Sequence, residues 1–224
     1  YRSKHRRSIN PVMERAFCHR SDRKSFFMER KALHRKNFSG KIKRETLFKQ
    51  KGGEKMFQKG DYVVYHDMGV CLVEDVGIPV GTPLERKQKP YYRLQPVYGK
   101  GSIYIPTDTS LFMRAVMNRQ EADQFILSIP QIAVFEEQPG FKEKDAAYRN
   151  ALETHSCVDL TRILKSVYEK NLQLRESGRK MGRNDQQYKK QAEALLYGEL
   201  SIALQIPLED VEDYICRKLD AMLP

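Results

Sequence analysis

The sequence has no tryptophan, few histidines and four cysteines, and these scarcities exclude several classes of site. The cysteines are widely separated and form no CxxC pair: Cys18, Cys71, Cys157 and Cys216. The chain therefore lacks the spacing of a zinc-ribbon or thiol-redox motif. Its five histidines form no cluster in the sequence. His66 beside Asp67 is typical of a turn rather than of a metal pair, because no further ligand lies nearby, so we predict no metal and no cofactor. A reduced cytoplasmic compartment is the expected location.

Long apolar runs and catalytic signatures are also missing. No stretch approaches the roughly 20 apolar residues of a membrane-spanning helix, so we predict no membrane partner. The GxSxG, GxxxxGK[ST] and HExxH signatures of common enzymes do not occur. His155, Cys157 and Asp159 could form a nucleophilic site, but they fall where one predicted helix ends and the next begins. Asp159 is the expected N-cap of the second helix, so we interpret all three as structural. An enzyme that uses His155 or Cys157 in catalysis is the alternative to a binding protein.

The formal net charge of +11 is confined to the first quarter of the chain. Residues 1–55 contain 18 of the 40 Lys and Arg but only 5 of the 29 Asp and Glu. The remaining residues hold 22 basic and 24 acidic side chains, a balance of −2. Net charge therefore does not mark residues 56–224 as a nucleic-acid binder.

Residues 1–55 show no sustained helical or strand pattern, and we predict a disordered basic extension. Three interpretations compete: an arm that binds nucleic acid, an organellar targeting segment, and sequence that is not native protein. The run Lys51-Gly52-Gly53-Glu54-Lys55 before Met56 back-translates to a purine-rich ribosome-binding sequence. We therefore hypothesise that Met56 is the initiator and that residues 1–55 are translated upstream sequence.

Residues 56–117 read as a small β domain. Four runs rich in β-branched and aromatic residues are separated by Gly and Pro turns, and a fifth run near residues 111–116 follows. Short strands at this spacing predict an antiparallel barrel of the SH3 or Tudor type. Alternation along the strands places about half of the tyrosines in its core.

Residues 118–224 change to a helical repeat of about 3.6 residues. Asn118 and Glu121 have the spacing of a capping box at the start of the first helix. Further apolar stripes predict helices near residues 141–154, 159–177, 185–205 and 207–219. The predicted fold class is α+β: a small antiparallel Tudor/SH3-like β-barrel followed by an all-α helical bundle.

Several motifs together resemble the CarD/CdnL/TRCF-RID family. They are Gly60-Asp61-x-Val63-Val64-Tyr65, Tyr92-x-Leu94, Ile103-x-Ile105-Pro106 and, in the helical part, Leu195-Leu196-Tyr197-Gly198-Glu199-Leu200. The resemblance implies a bacterial transcription regulator without enzymatic activity. It implies that the barrel docks an edge strand on the RNA polymerase β subunit. It also implies that the helical domain contacts promoter DNA and stabilises the open complex.

Mapped onto this chain, the resemblance predicts a polymerase-binding strand made of Ser102, Ile103, Tyr104 and Ile105. For the DNA contact we predict Lys144, Arg149, Lys189 and Lys190. Many relatives have a tryptophan wedge near the position of Lys144, and an arginine is common at the position of Tyr104. A lysine cannot unstack a base step as an aromatic wedge does, so we expect polymerase binding with weaker or reversed open-complex stabilisation. We expect the protein to be a monomer. The alternatives are a polymerase adaptor whose helical part contacts protein, and a basic binder driven by residues 1–55.

Overall fold

The structure is a computed structural model that describes residues 56–84, 88–136 and 141–221. The predicted extension over residues 1–55 lies outside the described residues. The described residues from Gln58 onward belong to one compact unit. Within it, a five-stranded sheet is followed by five α-helices. None of the helices in these ranges is both long and apolar enough to cross a membrane.

The sheet is antiparallel throughout and open. Its strands lie in the order β4-β3-β2-β1-β5 and have these bounds: β1 Tyr62–Tyr65, β2 Gly69–Gly77, β3 Tyr91–Pro96, β4 Ile103–Pro106 and β5 Met113–Ala115. The two outer strands do not pair with each other, so the predicted closed barrel is wrong. Closing a barrel requires the outer strands to pair in a staggered register, whereas β4 and β5, of four and three residues, lie at opposite edges of this sheet.

Alternating side chains build the inner face of the sheet. Val63, Val73 and Leu94 are fully buried, as their period-two positions predict. Tyr91 and Tyr92 are also buried, which confirms that these tyrosines belong to the core. A register shift between Val73 and Asp75 marks a β-bulge in β2, which re-aims the local side chains.

The helices follow the predicted 3.6-residue pattern. Their bounds are α1 Arg119–Ser128, α2 Phe141–Glu153, α3 Cys157–Glu176, α4 Arg183–Leu204 and α5 Val211–Asp220. The capping box at α1 is confirmed: the Glu121 N–H donates to Asn118 Oδ1 at 3.0 Å, and the Asn118 N–H donates to Glu121 Oε2 at 2.7 Å. Ser156, not Asp159, precedes the first residue of α3.

Helix α4 packs against the sheet through its second half. A Cβ added to Gly198 would lie 3.2 Å from the Tyr98 ring, so glycine allows this close approach. The Tyr98 hydroxyl donates to Ser201 Oγ at 2.7 Å. One turn earlier, Leu195 lies against Gly69 of β2. Leu195 and Gly198 both belong to the motif over residues 195–200 that carries the resemblance in the helical part. That motif therefore forms the surface by which α4 packs against the sheet.

Candidate functional site

The two outer strands of the sheet differ in what lies beside them. On β5, Arg114 pairs with Glu199 of α4 and donates to the backbone oxygen of His155 at 3.3 Å. The helices therefore pack beside β5. On the opposite side of the sheet, β4 pairs with β3, and no strand of the described residues pairs with its outer side. The exposed edge of the sheet is β4.

The hydrogen-bond alternation of the β3–β4 ladder identifies the backbone groups at this edge. The Thr107 N–H donates to the Pro90 oxygen at 3.2 Å, in the register that pairs Ile105 with Tyr92. Because bonded and non-bonded pairs alternate in antiparallel ladders, Ile103 and Ile105 bond to β3. The N–H and C=O of Tyr104 then point outward. Among the described residues, Tyr104 supplies the central outward donor and acceptor of this edge.

The four predicted polymerase-binding residues have different environments. Ser102 is exposed and Ile103 is half-buried, whereas Ile105 is buried in the core. Tyr104 is 36% exposed. Three of the four residues are thus accessible from outside, and Ile105 fixes the strand to the core.

A charged cluster that the sequence analysis missed flanks Tyr104. Arg93 lies opposite Tyr104 in the ladder, and its Nε donates to Glu74 Oε2 at 2.7 Å. The same carboxylate oxygen accepts from Ser102 Oγ at 3.2 Å. The hydrogen bond and charge of Glu74 raise the pKa of Arg93. The signal that could have placed Arg93 on the outer face is its position between Tyr92 and Leu94, because side chains alternate along a strand.

Lys144, the first of the predicted DNA-contacting residues, is held by a buried acid. Its Nζ lies 3.2 Å from Asp185 Oδ1, at the start of α4. Lys170 of α3 pairs with the same carboxylate. Burial, together with the nearby Lys170, lowers the pKa of Lys144. Two lysines share one acid, so this cluster carries one uncompensated positive charge.

Arg149 and Lys189 also have acidic partners. Arg149 pairs with Asp145 one helical turn earlier, and Tyr188 donates its hydroxyl to Asp145 Oδ1 at 2.6 Å. Lys189 Nζ lies 3.6 Å from Glu193 Oε1. Both ion pairs have the i,i+4 spacing, which the sequence alone shows. Lys190 follows on α4 and is exposed.

The turn between α3 and α4 carries further positive charge. Arg179, Lys180 and Arg183 are exposed, and none of them forms an ion pair with any part of the chain that the structure describes. The contacts from Lys144 to Asp185 and from Tyr188 to Asp145 place this end of α4 beside α2. The predicted basic residues and the turn thus belong to one end of the helical bundle.

The alternative nucleophilic site is not assembled. Cys157 is buried, and its Sγ donates to Glu199 Oε2 at 3.2 Å. Burial, followed by the charge of Glu199, raises the pKa of this thiol. Since the thiolate is the nucleophile, these conditions oppose reactivity. Asp159 is occupied as well, because its carboxylate accepts from Thr154 Oγ1 at 2.9 Å.

Comparison with known proteins gives one match for the sheet half of the chain. Residues 57–117 match the family model described as CarD-like/TRCF RID domain. The match contains all five strands and ends before α1. No curated protein matches the chain.

Proposed function

Residues 57–117 belong to the CarD-like/TRCF RID family, and from that membership we propose that this protein is a transcription regulator that binds the RNA polymerase β subunit. The β4 edge supports this proposal most directly. It offers the outward N–H and C=O of Tyr104 to a strand of the partner. Main-chain pairing of this kind supplies affinity, while exposed side chains supply specificity. In this role the protein has no catalytic function of its own.

The helical half is proposed to contact promoter DNA while the sheet holds it on the polymerase. Lys144, Arg149, Lys189 and Lys190 lie at the end of the bundle that also carries the turn before α4. Their phosphate contacts would be individually weak, because the residues outside 1–55 have a net charge of −2. Tethering raises the effective concentration of such a surface near DNA. The bound helical half would then alter the lifetime of the open complex.

A polymerase adaptor is the second candidate, and one feature of the helical half favours it. Lys144, Arg149 and Lys189 each have a carboxylate partner within the chain. A paired cation must give up that partner, or share it, when it binds a phosphate. Under this second proposal, the same end of the bundle keeps these ion pairs and contacts another protein instead of promoter DNA.

The strand-pairing role of β4 is tested by binding of the full chain to purified RNA polymerase. Tyr104→Pro removes the outward N–H but leaves the inward bonds of Ile103 and Ile105 in place. Tyr104→Val is the matched control, because it removes the aromatic side chain and keeps the N–H. We expect Tyr104→Pro to weaken binding roughly tenfold or more. We expect Tyr104→Val to have a smaller effect.

The pattern across the two variants separates the possible outcomes. Equal weakening by both would show that the Tyr104 side chain, not the backbone, makes the contact. Unchanged binding by both variants, with folded protein verified by circular dichroism, would rule out the β4 edge as the docking surface.

A further inference from the structure

Two histidines that are distant in the sequence meet next to an aspartate. His66 and Asp67 lie in the short turn between β1 and β2, and His155 lies in the link between α2 and α3. One ring nitrogen of each histidine and one carboxylate oxygen all lie within 4.8 Å of one another. His66 Nδ1 is 3.1 Å from Asp67 Oδ2. The sequence analysis treated His66 and Asp67 as a turn because it identified no third ligand.

The environment of His155 provides a second, independent observation. This residue is only 6% exposed, and its Nδ1 has no hydrogen-bond partner in the described part of the chain. Buried polar atoms of native proteins are nearly always hydrogen-bonded or bound to an ion or water. The Phe112 ring centroid lies 4.6 Å from that of the His155 ring, and the His66 ring centroid lies 5.2 Å from it. The unpartnered group is thus enclosed next to the other two candidate ligands.

We propose that His66, Asp67 and His155 bind a divalent transition metal, with Zn²⁺ as the best-suited ion. Two imidazoles and one carboxylate are a common zinc ligand set, and a water molecule completes the tetrahedron. Ligand atoms about 2.0 Å from a tetrahedral zinc lie about 3.3 Å apart, close to the separation of His66 and Asp67. Imidazole ligands favour zinc, copper, nickel and iron over magnesium or calcium.

Only small movements are needed to close the site around an ion. The side chains of His66 and Asp67 are 46% and 70% exposed, so they can rotate without disturbing the core. His155 is enclosed and provides the fixed ligand.

The position of the site indicates a structural role. His66 and Asp67 belong to the sheet half, whereas His155 belongs to the helical half. A metal bound by all three residues would join the two halves, next to the packing of α4 on the sheet. Because an unfolded chain does not bring these ligands together, the metal would stabilise the folded state by mass action. This inference does not depend on the proposed binding to polymerase.

The test uses the full chain after treatment with a chelator, titrated with ZnCl₂. We expect the melting temperature to rise roughly 5–10 °C at a zinc concentration about 100 times the dissociation constant. Titration with CoCl₂ should give the intense visible bands of tetrahedral cobalt. His66→Ala should remove both responses, and Asp67→Asn should weaken binding about tenfold. Asp108→Asn is the control, since it changes an exposed aspartate elsewhere on the sheet half.

The variants also distinguish this site from binding elsewhere in the chain. Residues 1–55 contain the other three histidines, at positions 5, 19 and 34. A zinc response that is the same in His66→Ala and in the unsubstituted chain would assign the binding to those residues and overturn the proposal. No thermal shift and no cobalt bands at a hundredfold molar excess of metal would also overturn it. His66 is on the surface, so loss of the fold does not obscure the result.

Discussion

Arg114 of β5 and Glu199 of α4 form a two-pronged ion pair between the sheet and the helices. Arg114 Nη2 donates to Glu199 Oε2 at 2.7 Å, and Nη1 pairs with Oε1. The Glu199 carboxylate, in a residue that is 2% exposed, also accepts from the Met117 N–H and from Cys157 Sγ, both at 3.2 Å. Its buried charge is therefore balanced and its oxygens are hydrogen-bonded. Such a carboxylate stabilises the fold only while its cation is present.

Removing that cation should destabilise the protein strongly. Arg114→Met leaves Glu199 buried without a charged partner, and we expect the free energy of unfolding to fall by about 3 kcal/mol. Urea unfolding followed by circular dichroism measures the change. Arg93→Met is the control, because it removes an exposed arginine from its pair with Glu74. Equal losses in the two variants would show that burial of the Arg114–Glu199 pair has no special energetic role.

Gly198 gives a second test of the contact between α4 and the sheet. Valine at this position would collide with the Tyr98 ring, since even a Cβ lies 3.2 Å from it. We expect Gly198→Val to reduce the free energy of unfolding by about 1–3 kcal/mol. The cost should be smaller in a Tyr98→Ala background, because the ring that collides is gone. Chemical unfolding of the four members of this cycle measures the coupling, and strict additivity would contradict the proposed contact.

The burial of Cys71 predicts how stability depends on pH. Burial raises the pKa of this thiol from 9.0 to about 11 in the folded protein. Below pH 9 the thiol is neutral in both states. As the pH rises from 9 to 11, the unfolded chain loses the proton first, so stability should fall by about 2–3 kcal/mol. Between pH 9 and 11, the free energy of unfolding should fall less in Cys71→Ala than in the unsubstituted protein. An identical pH dependence of the two proteins would contradict the raised pKa of Cys71.

Local sequence patterns predicted the strands and helices correctly, but they predicted a closed barrel where the sheet is open. The runs of β-branched and aromatic residues predicted the five strands, and the apolar repeats predicted the five helices. The barrel was wrong because closure depends on pairing between distant strands. The outer strands β4 and β5 lie at opposite edges of the sheet and do not pair with each other, and no local pattern reports that.

The same limit applies to the candidate sites. The pairing of Arg149 with Asp145 has helical spacing and was accessible from the sequence. The pairing of Lys144 with Asp185 joins two helices and becomes visible only in the fold. The meeting of His66 with His155 likewise needs the packing of the sheet half against the helical half. Contacts set by tertiary structure thus decide which basic residues are free and which polar residues cluster.

Promoter binding by the helical half predicts a particular dependence on salt. Each phosphate contact that is lost should reduce the slope of log K against log salt by about 0.9 for duplex DNA. Lys144→Gln, Arg149→Gln, Lys189→Gln and Lys190→Gln should each lower the slope of the polymerase–promoter complex by up to this amount. Replacing Arg179, Lys180 and Arg183 together should lower it further if the turn also reaches the DNA. The affinity of complexes at several salt concentrations, by fluorescence anisotropy, measures these slopes.

The control for charge is Lys59→Gln, which removes an exposed lysine from the sheet half. Lys59→Gln should leave the slope of log K against log salt unchanged, because the slope depends on phosphate contacts and not on the total positive charge. If every helical variant keeps the slope but loses regulation, the adaptor function is favoured, since protein contacts do not release counterions from DNA. Unchanged slope and unchanged regulation in all variants would exclude this end of the bundle from both functions. The salt experiment therefore decides between DNA and protein as the partner of the helical half.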